Sequence, residues 1–165
     1  MILLGLVSNK GDKNKNLMFT IHELAKHPHI WITKKSFIYE SKPMYLIDQA
    51  DYYNMVIQID TNLEPLDLLD HIKKIEIKSG RTISAIKNMP RTLDIDILAM
   101  DQLLIRTKTL NIPHINIKER RFVLKPWSDI ASNFILPSEK QSISYLLKHT
   151  SDTSKLNLIL ETKEG

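Results

Sequence analysis

Leu93-Asp94-Ile95-Asp96-Ile97-Leu98-Ala99-Met100 alternates apolar and acidic side chains over its first five residues and then turns wholly apolar. In a strand, successive side chains face opposite ways, so Leu93, Ile95 and Ile97 enter a core while Asp94 and Asp96 share the other face. Upstream, Arg81 to Pro90 has no period, mixes basic and polar residues, and reads as a long mobile loop. Before it, Glu64-Pro65 opens a helix with Leu66, Leu69, Ile72 and Glu76 on one stripe and Gly80 as its C-cap. Tyr52 to Thr61 is a strand, preceded by a loop from Ser41 to Asp51. Ile30 to Tyr39, rich in β-branched and aromatic residues, is another strand. Leu17, Ile21, Leu24 and Ala25 fall on one helical face that Pro28 ends. Ile2 to Val7 is a buried strand, followed by the polar run Ser8 to Asn16 with a turn at Gly11-Asp12.

Downstream, Leu103-Leu104-Ile105 reads as a short hairpin partner to the Leu93–Met100 strand. Pro113 to Ala131 should hold short helical turns, Ile143 to Leu147 a last short helix, and Ser151 onward a polar, loose tail or a linker. The expected domain is therefore residues 1–150, with 151–165 appended. The order β-α-β-β-α-β predicts a ferredoxin-like α+β sandwich: a mostly antiparallel sheet with helices packed on one face.

A chain of 165 residues, 42% hydrophobic and 25% charged, is long enough for one ordinary core and has no disordered composition. It has no cysteine, which excludes disulfides and thiolate metal sites and fits a reducing cytoplasm. The opening MILLGLVSN is too short for a membrane span and lacks a basic leader, so no membrane association is expected. The net charge of +4 favours a phosphate-bearing small molecule, with nucleic acid as the competing partner.

Two carboxylates sharing a strand face repel each other unless a cation or proton lies between them. Magnesium takes hard oxygen ligands, commonly one or two carboxylates plus substrate phosphates. Asp94 and Asp96 are thus either a metal pair or a solvated face paired with lysines, and Arg91 either forks onto phosphate or pairs with them. Pro113-His114 with Arg120-Arg121 close behind could line an anion site, although such residues are more often surface groups. Ser8-Asn9-Lys10-Gly11-Asp12 lacks the spacing of a P-loop and reads as a turn with a helix cap. Asp51-Tyr52-Tyr53-Asn54 offers an aromatic ring for stacking and an amide for reading an edge, or simply core residues.

Taken together these segments resemble the 6-hydroxymethyl-7,8-dihydropterin pyrophosphokinases of folate biosynthesis. The family pattern G-P-R-T-L-D-L-D-I is similar to Met89 through Ile97. P-H-x-x-x-x-x-R-x-F-x-L-x-P resembles Pro113-His114 through Arg120, Phe122, Leu124 and Pro126. G-S-N-x-G-D resembles Val7 through Asp12, and D-Y-x-N resembles Asp51 through Asn54. The resemblance covers residues 2 to 150 in order and implies the ferredoxin-like fold. It further implies transfer of pyrophosphate from ATP to the pterin hydroxymethyl group, with AMP leaving.

It implies residue roles as well. Asp94 and Asp96 would hold two Mg²⁺ ions on the ATP phosphates. Tyr52 and Phe122 would sandwich the pterin, Asn54 would read its edge, and backbone near Ser41 and Met44 would complete that pocket. Glu76, His114 and Arg120 would contact ATP, while Arg81 and Arg91 would act on the transferring group. Val7 and Met89 depart from the pattern, as do Ile83 and Asn88 in the loop, where Lys87 or Lys78 would supply a cation. Some members are fused to dihydropteroate synthase, which the tail would suit as a linker. The competing classes are an RNA-binding module, against which stand the absence of an RNP1-type run and the acidic pair, and a nucleotidyltransferase with an aspartate pair.

Overall fold

A computed structural model describes residues 1–43, 49–80 and 92–160. Met44, Arg81 and Arg91, and with them the whole expected loop from Arg81 to Pro90, lie outside the described residues.

The elements are β1 (Ile2–Ser8), α1 (Lys13–Ala25), β2 (Ile30–Lys35), β3 (Ile38–Ser41), β4 (Tyr52–Thr61), α2 (Pro65–Lys78), β5 (Asp94–Met100), β6 (Ile105–Arg106), β7 (Asn111–Ile112), a 3₁₀ turn (Ile117–Glu119), α3 (Arg121–Ala131), β8 (Ile135–Leu136), β9 (Gln141–Ser142), α4 (Ile143–His149) and β10 (Asn157–Leu160). The main sheet runs β10-β3-β4-β1-β5, with β2 also paired to β4, and each of its pairings is antiparallel. If β2 and β3 are taken as one interrupted strand, the expected order β-α-β-β-α-β is the observed one. The fold is an α+β ferredoxin-like sandwich.

The expectation of helices on one face is corrected. Two separate cores lie on opposite faces of the sheet. One packs Leu4, Leu6, Ile57 and Ile95 against Leu17 and Leu24 of α1 and Leu68, Ile72 and Ile75 of α2. The other packs Leu3, Val56, Leu98 and Ala99 against Val123, Leu124 and Trp127 of α3 and Ile143 and Leu146 of α4. The central strands are apolar on both faces, and that pattern requires a cover on each.

Smaller differences have local causes. The Ile30–Tyr39 run breaks at Ser36, which lies between β2 and β3. Its hydroxyl accepts from Val56 N–H while its own N–H donates to Val56 C=O. The buried stripe of α2 is Leu68, Ile72, Ile75 and Glu76, spaced i, i+4, i+7 and i+8, and Leu66 is exposed. Ile105 pairs with Ile112 rather than with β5, and Leu103 and Leu104 are exposed. The segment after Leu110 holds an 11-residue helix with Pro126 inside it, not only short turns. Within the expected loose tail, Asn157–Leu160 adds an edge strand to β3.

The turn after β1 behaves as expected. Gly11 has a φ of 72°, a left-handed geometry that glycine adopts without a Cβ clash. Asp12 caps α1 by accepting from Lys15 N–H at 3.1 Å.

Candidate functional site

Register places the candidate residues on one face of the sheet. Tyr39 on β3 pairs with Asn54 on β4, Asn54 with Val7 on β1, and Val7 with Asp94 on β5. The next row in β4, β1 and β5 is Val56, Gly5 and Asp96. Directly paired residues share a face. Asn54 and Asp94 are thus two strand spacings apart, about 10 Å at ~4.8 Å per strand. This is the face covered by α3, and Leu93, Ile95 and Ile97 occupy the opposite core as expected.

A bulge shapes the floor. Leu3 pairs with Ala99 and Leu4 with Ile97, which leaves Leu98 as the extra residue of β5. Both Leu98 and Ala99 enter the α3-side core. The Leu98 carbonyl accepts from His114 N–H at 2.9 Å. A bulge re-aims a strand at its edge, and here it anchors His114 beside the carboxylates. His114 Nε2 lies 3.9 Å from Asp96 Oδ1. Gly5 sits directly beneath, where an added Cβ would meet Leu98 at 3.4 Å.

Asp96 holds its proton more tightly than an ordinary aspartate. Burial raises its pKa first and the neighbouring Asp94 carboxylate adds to that, while His114, Arg120 and Lys73 pull the other way. The raising causes win, as expected for a partly desolvated carboxylate beside another. A cation between the two would relieve that repulsion, and a carboxylate pair open to substrate oxygens is the donor set magnesium takes. Asp94 and Asp96 therefore fit a divalent metal. Among the described residues, no group of three or more His, Asp or Glu side chains forms a fuller metal cage.

Two hollows meet at Asp96. One lies between the sheet and α3, lined by Gly5, Val7, Asn54, Asp96, Arg120 and Phe122 among others. The second is an open cleft of about 240 Å³ lined by Leu69, Lys73, Thr109, Asn111, Ile115 and Arg120, with Asp96 and His114 at its inner end. Arg120 reaches both and lies 5.8 Å from the Phe122 ring centroid.

Asn54 is buried, and its Nδ2 donates to Ser41 Oγ at 2.8 Å and to Tyr39 C=O at 3.1 Å. A backbone carbonyl only accepts, so the nitrogen must face Tyr39 and the amide oxygen faces away. That oxygen is buried and has no partner among the described residues. A buried acceptor left unmatched costs about 1–3 kcal/mol, and in a pocket wall it is a ready receptor for a ligand N–H. Tyr52 pairs with Ser41 across β4 and β3, its hydroxyl 3.5 Å from Gln49 Oε1.

Glu76 is also buried. Its Oε2 accepts from Ile95 N–H at 2.9 Å, and Lys73 Nζ reaches its Oε1 at 3.1 Å. It braces the outer edge of β5 between the two aspartates and does not line the cleft. The register and the first hollow thus bring together Asp94, Asp96, Asn54, Ser41, Tyr52, Phe122, His114 and Arg120 on the α3-covered side. Glu76 stands behind β5. The described site residues that sequence reasoning missed are Lys73, Thr109, Asn111 and Gly5, because an isolated lysine, threonine, asparagine or glycine carries no local signal.

The fold is thus an α+β ferredoxin-like sandwich with an acidic pair between a polar-aromatic pocket and a cleft that carries Lys73, His114 and Arg120. The family model for 7,8-dihydro-6-hydroxymethylpterin-pyrophosphokinase (HPPK) matches residues 3–132, and the chain belongs to that family. It is 35% identical to the 2-amino-4-hydroxy-6-hydroxymethyldihydropteridine pyrophosphokinase of Haemophilus influenzae, over 94% of this chain and 96% of that protein. It is 42% identical to the folic acid synthesis protein FOL1 of Dictyostelium discoideum, over 96% of this chain but 22% of that protein. The chain thus spans about a fifth of that longer relative. The wild-type HPPK-DHPS of Plasmodium falciparum, solved with pteroate, shares the fold at a TM-score of 0.70 and 16% identity, covering 89% of this chain and 41% of that one.

Proposed function

We propose that this chain transfers pyrophosphate from ATP to the hydroxymethyl oxygen of 6-hydroxymethyl-7,8-dihydropterin, releasing AMP. The observation that carries the reading is the strand register: it sets the unmatched acceptor of Asn54 about 10 Å from Asp94, with Val7 between them on the floor. That separation suits a bicyclic ring read at one edge by Asn54, with its exocyclic hydroxymethyl carried to the acidic pair. Tyr52 and Phe122 supply rings for the two pterin faces, and Ser41 holds Asn54 in orientation.

The 240 Å³ cleft takes ATP, with Thr109 and Asn111 toward the base and Lys73, His114 and Arg120 toward the phosphates. Asp94 and Asp96 hold magnesium, two ions in this reading, which when bound neutralises charge on the phosphate oxygens. The chain's own contribution is alignment and electrostatics. Arg120 bridges both hollows, and its charge stands where the two substrates meet. Arg81 and Arg91 complete the set of cations on the transferring group. In the balanced reaction the bond between the α,β-bridging oxygen and the β-phosphorus breaks, the hydroxymethyl oxygen bonds to the β-phosphorus, and one proton leaves the hydroxyl.

The bifunctional relatives, such as the FolKE protein of Lactococcus lactis at 41% identity, support a second element of the reading. The chain works as, or beside, one module of a longer folate-synthesis assembly in the cytoplasm. No helix among the described residues is long and apolar enough to cross a membrane.

The test is product analysis with magnesium, ATP and the pterin alcohol. AMP should accumulate in step with the pterin diphosphate. ADP in place of AMP would assign single phosphoryl transfer, and nucleotide turnover indifferent to the pterin would remove the substrate assignment.

A further inference from the structure

We propose that Asp152 is a positioning residue that, through the segment 150–160, holds the Arg120–Phe122 wall of the pocket against the strand β3 wall. This rests on the pyrophosphokinase reading of the pocket. The segment lies beyond the residues matched by the family model, which end at 132.

The first turn of α3 needs outside help. Its N-cap residue, Arg120, has no side chain able to cap, and none bonds there locally. Arg121, the first helical residue, instead donates its N–H to Asp152 Oδ2 at 2.8 Å, from 31 residues away in the chain. That amide sits between Arg120, which reaches both hollows, and Phe122, which lines the inner one. The other oxygen, Asp152 Oδ1, accepts from Ser154 N–H at 3.0 Å and from Ser154 Oγ at 2.5 Å. The Arg121 guanidinium returns a bond to Ser154 C=O at 2.8 Å.

The 3₁₀ turn is tied by the same segment. Thr150 Oγ1 donates to Lys118 C=O at 2.7 Å and accepts from Asp152 N–H at 3.2 Å. Burial raises the proton affinity of Asp152, but the bonds from Ser154 and Arg121 together outweigh it and hold the carboxyl below the usual carboxylate range. It is therefore an ionised cap, the form that best complements a helix N-terminus.

Past this knot the chain becomes β10 and pairs with β3: Asn157 opposite Glu40 and Leu158 opposite Tyr39. Tyr39 is the residue whose carbonyl orients Asn54. One short segment thus grips the wall that carries Phe122 and the strand that orients Asn54, while Asp152 lines neither hollow.

The experiment compares Asp152→Ala, Asp152→Asn and a stability control, Ile72→Val, which trims the buried face of α2 on the far side of the sheet. Steady-state kinetics should show the pterin KM rising roughly five-fold in D152A, which converts to ~1 kcal/mol, the typical size of one cap. kcat should change less. D152N keeps an acceptor and should restore most of the KM, whereas I72V should lower the melting temperature with no change in pterin KM.

Hydrogen exchange without ligand supplies a readout that does not depend on the reaction. Amides 121–124 should exchange faster in D152A and not in I72V. An unchanged KM and unchanged exchange in D152A, or equal shifts in I72V, would overturn the positioning role. Absence of AMP formation by the wild-type chain would instead overturn the functional reading, and the exchange comparison would still decide the role of Asp152. If D152A does not fold, Ser154→Ala, which leaves the Arg121 bond and the residue-154 N–H bond but removes the hydroxyl bond to Oδ1, should show about a two-fold KM rise, and none would reject the proposal.

Discussion

Asp96 ionises against its own surroundings. It is partly buried beside a second carboxylate, and the groups that oppose this, His114, Arg120 and Lys73, raise its acidity less than desolvation and Asp94 lower it. Natural proteins keep such conflicts where a ligand resolves them. The consequence is a separation of stability from activity. Asp96→Asn removes one partly desolvated charge and one repulsion while keeping its size. Its metal-free melting temperature should be no lower than that of the wild type. Turnover at saturating magnesium should fall at least a hundred-fold, equivalent to about 2.7 kcal/mol of transition-state stabilisation. Calorimetric melting and AMP assays on the same preparation check both halves, and near-normal turnover would remove the metal role. That Asp94 and Asp96 share a face opposite Leu93, Ile95 and Ile97 was legible from the alternation alone. The unmatched oxygen of Asn54 was not, because it depends on Ser41 and on the Tyr39 carbonyl, which only strand pairing brings to the amide.

At the scale of elements, the joint between α1 and α2 is built on histidine. His71 of α2 stands 4.5 Å from His27 in a T-shaped ring contact, and His71 Nε2 is buried with no partner among the described residues. His27 Nδ1 accepts from His29 N–H at 3.0 Å. Burial lowers the His71 pKa first, with His27 and Lys74 adding to it, while Glu23 and Asp70 oppose. A base whose folded pKa lies below its unfolded value near ~6.5 contributes stability that is complete above that pH. That stability is lost as pH falls toward the folded value. The melting temperature should therefore drop between about pH 7.5 and about pH 5.5, and His71→Gln should flatten part of that drop. An identical slope in the variant would place the acid sensitivity elsewhere.

Periodicity disclosed both long helices and the strands of the main sheet's centre. It failed where the backbone is served from a distance. Ser36 splits a continuous β-branched run by exchanging bonds with Val56. Pro126 hides α3, since proline has no N–H for the Phe122 carbonyl one turn earlier and reads as a helix breaker. The helix persists because Val123, Leu124 and Trp127 bury its apolar face. β10 is short, and only its pairing with β3 makes it a strand.

For the whole molecule, the sheet separates two cores with different duties. The α1–α2 core sets the back of β1, β4 and β5, whereas the α3–α4 core sets the height of the pocket roof above Asn54 and Asp96. A Tyr39–Asp129 hydrogen bond of 2.8 Å fastens α3 to β3 across that second core. Burial raises the Asp129 pKa, opposed chiefly by the Tyr39 hydroxyl and Lys125. Substitutions of similar thermodynamic cost on the two sides should then have different functional cost. Ile72→Ala on the α2 side should lower stability by about 2–5 kcal/mol, and Trp127→Ala on the α3 side by about 3–5 kcal/mol, because both side chains are fully buried and leave cavities. Measured well below the melting point of each variant, where the chains remain folded, I72A should bind the pterin alcohol within about two-fold of the wild type, since the sheet itself shields the pocket from a cavity on its far side. W127A should weaken the same binding by roughly ten-fold, about 1.4 kcal/mol, because the helix bearing Phe122 loses its anchor. Equal effects of the two variants on pterin affinity would show that the roof is held by the first turn of α3 and its Asp152 cap, not by the core beneath it.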